Sequence, residues 1–144
     1  MLSDELASRA RILIIDDEQP NVRLLERLLL SGGFSNIRGT TNPQEATQLF
    51  DEMQPDVVML DLHMPKMDGF AVLEALRARC QPGEYLPIVV LTADTGTEAR
   101  ERALSNGAND FLTKPIERVE VFNFQLKLDL LTNREVLCQS DVLI

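Results

Sequence analysis

Carboxylates follow directly on two of the most apolar runs in this chain. Asp16 and Asp17 come after Ile12-Leu13-Ile14-Ile15, and Asp61 comes after Val57-Val58-Met59-Leu60. A third run, Ile88-Val89-Val90-Leu91, ends in Thr92, and Phe111-Leu112 is followed two residues on by Lys114. Uninterrupted apolar runs bounded by breakers such as Pro55 and Pro65 read as buried strands of a parallel sheet. In open α/β sheets ligands bind at the carboxyl ends of strands, where all of these polar groups would stand. Each has a plain alternative by itself: Asp17 reads equally as a helix cap, Thr92 as a turn former, Lys114 as a surface lysine. Their joint placement is the argument. Three carboxylates in one pocket repel, by roughly 3 kcal/mol per pair at about 5 Å and an effective dielectric near 20. A hard divalent cation removes that penalty, and oxygen-only ligands select Mg²⁺ or Mn²⁺ over zinc. A nucleophilic carboxylate, a metal, a hydroxyl and a lysine charge together equip a site for in-line attack on a phosphoryl group. With neither GxxxxGKS nor GxGxxG in the sequence, the phosphoryl donor must come from outside.

The elements that must position these residues can be taken in chain order. Residues 1–10 form an acidic leader without the continuous apolar core of a signal peptide. After the first strand, Pro20 suits a first helical turn, Val22, Leu25, Leu28 and Leu29 recur at helical spacing, and Ser31-Gly32-Gly33 ends the helix. A short strand is expected at 36–40, then Asn42-Pro43-Gln44-Glu45 as an N-cap, helical proline and capping-box glutamate. Ala46, Leu49, Phe50 and Met53 would line that second helix. Helix-favouring residues resume at Met67, with Phe70, Leu73, Leu76 and Cys80 on the inner face. Gln81-Pro82-Gly83-Glu84 predicts a type II turn. A weakly apolar helix (Ala99, Ala103, Leu104) runs over 97–105 to Asn106-Gly107, and a long last helix starts near Ile116. Strands alternating with helices predict an α/β, doubly wound parallel sheet of five strands.

At 144 residues the chain fits one domain with a modest tail. A net charge of −9 argues against nucleic acid as a partner of this domain. No apolar run approaches the roughly 20 residues that span a bilayer, so a cytoplasmic protein is expected. Cys80 and Cys138 are too few and too far apart for a zinc site or a disulfide framework.

Ile14-Ile15-Asp16-Asp17-Glu18, Asp61-Leu62-His63-Met64-Pro65-Lys66-Met67-Asp68-Gly69, Leu91-Thr92-Ala93 and Lys114-Pro115 together resemble the motif set of two-component response-regulator receiver domains. The resemblance covers about residues 10–124. It implies the flavodoxin-like strand order 2-1-3-4-5 and a phosphorylation-dependent switch charged by a sensor histidine kinase or phosphotransfer protein. It also implies Asp61 as phosphoacceptor, and Mg²⁺ or Mn²⁺ held by Asp17 and Asp61, by Asp16 through water, and by the backbone carbonyl of His63. Thr92 and Lys114 would bind phosphoryl oxygens, and the Lys114–Pro115 bond would be cis. His63 and Asp94 would stand at the rim of the pocket, with His63 tuning phosphoryl lifetime. Phosphorylation would draw the Thr92 hydroxyl inward and let Phe111 swing into the space left. Phe111 stands where the family often has tyrosine, so no hydroxyl restrains that rotation.

Two apolar stripes mark the last helix: Val119, Phe122, Leu126 and Leu130, and Val121, Phe124, Leu128 and Leu131. Only one can face the sheet; the other is expected against a second copy or an output domain. Residues 11–124 then form the receiver, and 125–144 extend the helix as a linker. That extension is similar to the connecting helix of receivers that feed cyclic-di-nucleotide phosphodiesterases. Two other functions compete. A haloacid-dehalogenase-type phosphatase would also use an aspartate nucleophile, but His63 stands where its second aspartate belongs. A binding-only pseudo-receiver would not need the acidic, threonine and lysine residues together. The expectation is a switch that assists its own phosphoryl chemistry and turns over no other substrate.

Overall fold

Ile12, Leu13, Ile14 and Ile15 are all completely buried, as a run apolar on both faces requires when both sides of a sheet are covered. The computed structural model describes residues 9–64, 67–81, 86–93 and 97–114. In chain order these give β1 (Arg11–Ile15), α1 (Gln19–Ser31), β2 (Asn36–Thr40), a 3₁₀ turn (Pro43–Glu45), α2 (Ala46–Met53) and β3 (Val57–Asp61). Then come β4 (His63–Met64), β5 (Met67–Asp68), α3 (Gly69–Ala78), β6 (Ile88–Thr92), α4 (Thr97–Ser105) and β7 (Asp110–Thr113). The main sheet is parallel and ordered β2-β1-β3-β6-β7; without the two-residue strands β4 and β5, that is the expected 2-1-3-4-5 order. The expected turn at 82–85, the last helix from Ile116, its stripes, and the leader through Ser8 lie outside the described residues.

Alternation along the strands sorts the core into two layers. Ile12, Ile14, Val57, Met59 and Val89 pack with Val22, Leu25 and Leu29 of α1. Leu13, Ile15, Val58, Leu60 and Val90 pack with Ala46 and Phe50 of α2 and with Phe70, Leu73 and Leu76 of α3. Register then decides where the polar groups emerge. Ile15 lies opposite Leu60, Asp61 opposite Leu91, and Thr92 opposite Thr113, so the residues after these pairs share one edge.

Two expected helix starts are corrected. The capping box at Asn42–Glu45 does not close. The Asn42 side chain accepts from the Gln44 N–H (3.0 Å), but Glu45 turns to the Thr40 hydroxyl (3.3 Å), and that same hydroxyl accepts the Asn42 N–H (3.0 Å). Thr40, at the end of β2, supplies a nearer acceptor than Glu45 can, so residues 43–45 wind as a tight 3₁₀ turn and α2 begins at Ala46. Nor does the third helix resume at Met67. Met67–Asp68 instead pair antiparallel with His63–Met64, and α3 begins at Gly69 with the Asp68 carboxylate accepting the Phe70 N–H at 3.0 Å.

Gly69 is placed by close approach. A Cβ on it would meet the Leu62 backbone and lie 2.6 Å from the Asp61 carbonyl oxygen. Gly69→Ala should therefore push α3 off the strand end that carries Asp61. The expected cost is about 1–3 kcal/mol, read as a lower urea midpoint.

α4 is anchored differently from the other helices. Of the apolar residues that mark this helix, Ala103 is buried, whereas Leu104 is 48% exposed. Polar contacts hold this region. The Arg77 Nε–H of α3 donates to the Gly107 carbonyl (2.7 Å), its guanidinium also binds Asn109, and the Asn109 oxygen accepts the Ile88 N–H (2.8 Å). Arg102 of α4 lies over the Phe70 ring, 3.9 Å from its centroid.

Candidate functional site

The four strand ends deliver Asp16, Asp17, Asp61, Thr92 and Lys114 to one edge, and three carboxylates meet there. Ligand oxygens of Asp16, Asp17 and Asp61 lie within 4.8 Å of one another. Asp16 is fully buried and Asp61 almost so, while Asp17 is half-buried. The Asp16 N–H donates to the Thr40 carbonyl (3.2 Å), continuing the β1–β2 ladder one residue past the strand. The Lys114 N–H likewise donates to the Thr92 carbonyl (2.8 Å), fixing where the lysine leaves β7.

Lys114 Nζ bridges two of the acids, 3.0 Å from Asp16 Oδ2 and 3.2 Å from Asp61 Oδ1. Asp61 Oδ1 also accepts the His63 backbone N–H at 3.1 Å. Asp16 Oδ1 accepts the Glu18 N–H at 3.0 Å. Asp16 Oδ2 is buried, and the Lys114 ammonium is its partner there. One ammonium carries less charge than three carboxylates. Burial first, and the Asp16 charge second, push the Asp61 carboxyl up to about 6, against the pull of the His63 N–H and of Lys114. Burial alone would lower the Lys114 ammonium, but the Asp16 and Asp61 carboxylates more than reverse this and raise it.

The donor set fits a hard divalent cation. It is all oxygen, it is clustered, and two of its three carboxylates are buried. A cation there would offset both the burial of the Asp61 charge and its repulsion by Asp16.

A side-chain contact that sequence reasoning missed crosses the pocket mouth. His63 Nε2 lies 3.2 Å from Thr92 Oγ1. His63 stands on β4, opposite Asp68 of β5, and two-residue strands leave no periodic signal. Phe111 is half-buried in β7 against the second core layer, with the Arg100 guanidinium 4.1 Å from its ring centroid. Asp94 and Pro115, expected at the rim and at a cis bond, lie outside the described residues.

Comparison with known proteins decides what kind of site this is. The model of the response regulator receiver domain family matches residues 12–124. The chain is a response-regulator receiver domain. As such it is a phosphorylation-dependent signalling switch of two-component systems, and neither the phosphatase nor the binding-only alternative is favoured. The receiver is 38% identical over 133 residues to the response regulator PleD of Caulobacter vibrioides, covering 88% of this chain and 29% of PleD. It is 37% identical over 110 residues to a 14.6 kDa protein of Leptolyngbya boryana, covering 76% of this chain and 82% of that one. It thus spans less than a third of PleD but most of the smaller relative. The crystal structure of the Vibrio cholerae chemotaxis protein CheY4 superposes with a TM-score of 0.75 at 25% identity, covering 82% of the receiver and 97% of that chain. A response regulator from Clostridium difficile superposes at 0.73 with 27% identity, covering 85% and 96%. Among the described residues of the receiver, no helix is long and apolar enough to cross a membrane.

Proposed function

We propose that Asp61 accepts the phosphoryl group, from a sensor histidine kinase or a phosphotransfer protein, and that Asp16, Asp17, Thr92 and Lys114 make the transfer possible. The observation that carries this reading is the meeting of three carboxylates within 4.8 Å around one bridging lysine. Mg²⁺ (or Mn²⁺) would be held by Asp17 and Asp61 directly, by Asp16 through water, and by the His63 backbone carbonyl. When bound, the cation supplies positive charge for the phosphoryl oxygens during transfer.

Lys114 and the His63 N–H both engage Asp61 Oδ1, which leaves Oδ2 as the nucleophile. A bond forms from Oδ2 to phosphorus while the P–N bond of a phosphohistidine breaks, its electron pair staying on the donor's imidazole. Lys114 and the Thr92 hydroxyl then hold the phosphoryl oxygens by charge and hydrogen bond. The new dianion redirects Thr92, and Phe111 of the neighbouring strand follows as the packing element of the switch.

We take residues 11–124 as the receiver proper and 125–144 as a connection to an output domain or a second copy. The small share of PleD that the chain spans supports this division. We further propose that the receiver works in the cytoplasm, and that its own phosphorylation and dephosphorylation are its only turnover.

Acetyl phosphate with millimolar Mg²⁺ tests the assignment. Intact-mass analysis should show one phosphoryl group added to the native chain, labile to hydroxylamine, and none added when EDTA replaces Mg²⁺. An unmodified native chain that also fails to bind Mg²⁺-beryllofluoride would overturn it.

A further inference from the structure

The two residues assigned to the switch are each contacted, in this structure, by a side chain that the transfer step above does not use. His63 Nε2 lies 3.2 Å from Thr92 Oγ1, and the Arg100 guanidinium lies 4.1 Å from the Phe111 ring centroid. Both holders are exposed, while Thr92 is 3% exposed and Phe111 half-buried, so each reaches inward from the rim. They come from separate elements. His63 sits on β4, its backbone braced by pairing with Asp68, and Arg100 lies on α4.

We infer that His63 and Arg100 are positioning residues that hold Thr92 and Phe111 in the unphosphorylated arrangement and so set how readily the receiver switches. This rests on the switch roles proposed above for Thr92 and Phe111. The physical reason is competition. In the tautomer whose bare Nε2 accepts from Thr92, the hydroxyl must leave the imidazole to donate its one proton to a phosphoryl oxygen. Phe111 likewise cannot rotate without leaving the cation over its ring face. The guanidinium thereby stands in for the restraint that a tyrosine hydroxyl would provide. Both contacts exist only in the resting state, so each shifts the equilibrium by its own strength and adds nothing to the phosphorylated state.

Each contact belongs to a class whose net worth is a factor of about three to ten in an equilibrium constant. Titration of the 144-residue chain with beryllofluoride at saturating Mg²⁺, followed by calorimetry or ¹⁹F NMR, reads that factor as apparent affinity. His63→Ala and Arg100→Ala should each tighten binding about threefold to tenfold. Arg100→Lys, which keeps a cation over the ring, should stay within about twofold of native. In a Thr92→Val background the His63→Ala effect should vanish, and in a Phe111→Leu background the Arg100→Ala effect should vanish. Neither loss is expected if the two residues merely stabilise the fold.

Failure to bind beryllofluoride in the native chain would count against the acceptor assignment itself. Binding by the native chain, with His63→Ala and Arg100→Ala unchanged or weaker, would overturn the latch alone. So would gains that persist undiminished in the Thr92→Val and Phe111→Leu backgrounds.

Discussion

Asp61→Asn should abolish phosphoryl acceptance and at the same time make the metal-free protein harder to unfold. The loss of acceptance follows from chemistry: an amide offers no anionic oxygen to attack phosphorus. The gain in stability follows from the burial of the Asp61 charge and, second, from its repulsion by Asp16. Asp61 is a buried acid whose folded pKa is raised from the ordinary 3.8 to about 6. Between those values the native protein holds a proton that the unfolded chain has released, so stability falls as pH rises from about 4 to about 6. Above about pH 6 the full penalty of the buried charge is present, at most about 3 kcal/mol. Asparagine removes that charge but weakens the pairing with Lys114, which takes back part of the gain. A net stabilisation of about 1–2 kcal/mol at pH 7 is expected, read by urea unfolding in EDTA. The advantage should fade as pH falls from about 6 to about 4 and be gone below that, where Asp61 is neutral in the folded and the unfolded chain alike. An Asp61→Asn protein no more stable than native at pH 7 would mean that the three acids do not strain the fold.

Lys114→Met should act in the opposite direction. The ammonium is the cation in contact with both Asp16 Oδ2 and Asp61 Oδ1, and its side chain is only 20% exposed. Its folded pKa is raised, so its contribution is complete at neutral pH and lost only as pH climbs above the ordinary lysine range. Removing it at pH 7 leaves buried carboxylates facing each other without the cation that, among the described residues, touches both. Losses of this kind run to about 3–5 kcal/mol, and partial exposure argues for about 2–4 here. Two conditions should restore much of the loss. Acidification to about pH 5 protonates Asp61 and removes half of the repelling pair, and millimolar Mg²⁺ supplies the missing positive charge. Urea midpoints for Lys114→Met in EDTA, in Mg²⁺ and at pH 5 check all three statements. A loss that neither Mg²⁺ nor acid relieves would place the role of Lys114 in packing rather than charge.

Metal binding itself should be pH-dependent for the same reason. A proton on Asp61 must leave before its carboxylate can ligate, so Mg²⁺ affinity should fall as pH drops through about 6, with proton release measurable by calorimetry in buffers of different ionisation enthalpy.

Much of this was legible in the residues alone. Four-residue apolar runs can be satisfied only where both faces of a strand are covered, and β1, β3 and β6 are covered in this way. The acids follow those runs directly, so naming the strands also named the edge where Asp16, Asp17 and Asp61 meet. Local competition was less legible. Asn42–Glu45 has the letters of a capping box, yet the Thr40 hydroxyl, delivered by the strand before it, intercepts both partners. Met67 and Asp68 carry no strand signal; pairing with His63 and Met64 across a short reversal makes them one. Leu104 faces solvent because Arg77 and Arg102 tie the α4 region to α3 through polar and ring contacts, which no hydrophobic pattern records.

Residue order by itself therefore determined the alternation of strands and helices, the edge that carries chemistry and the identities of its acids, threonine and lysine. Those depend on short-range apolar periodicity and on residue type, both of which are written in the chain. Only the tertiary structure decided that Lys114 bridges Asp16 and Asp61, that His63 reaches Thr92, and that Arg100 covers Phe111. Those contacts join residues brought together by strand register and helix placement, and side chains of that length take their direction from whatever the fold sets beside them.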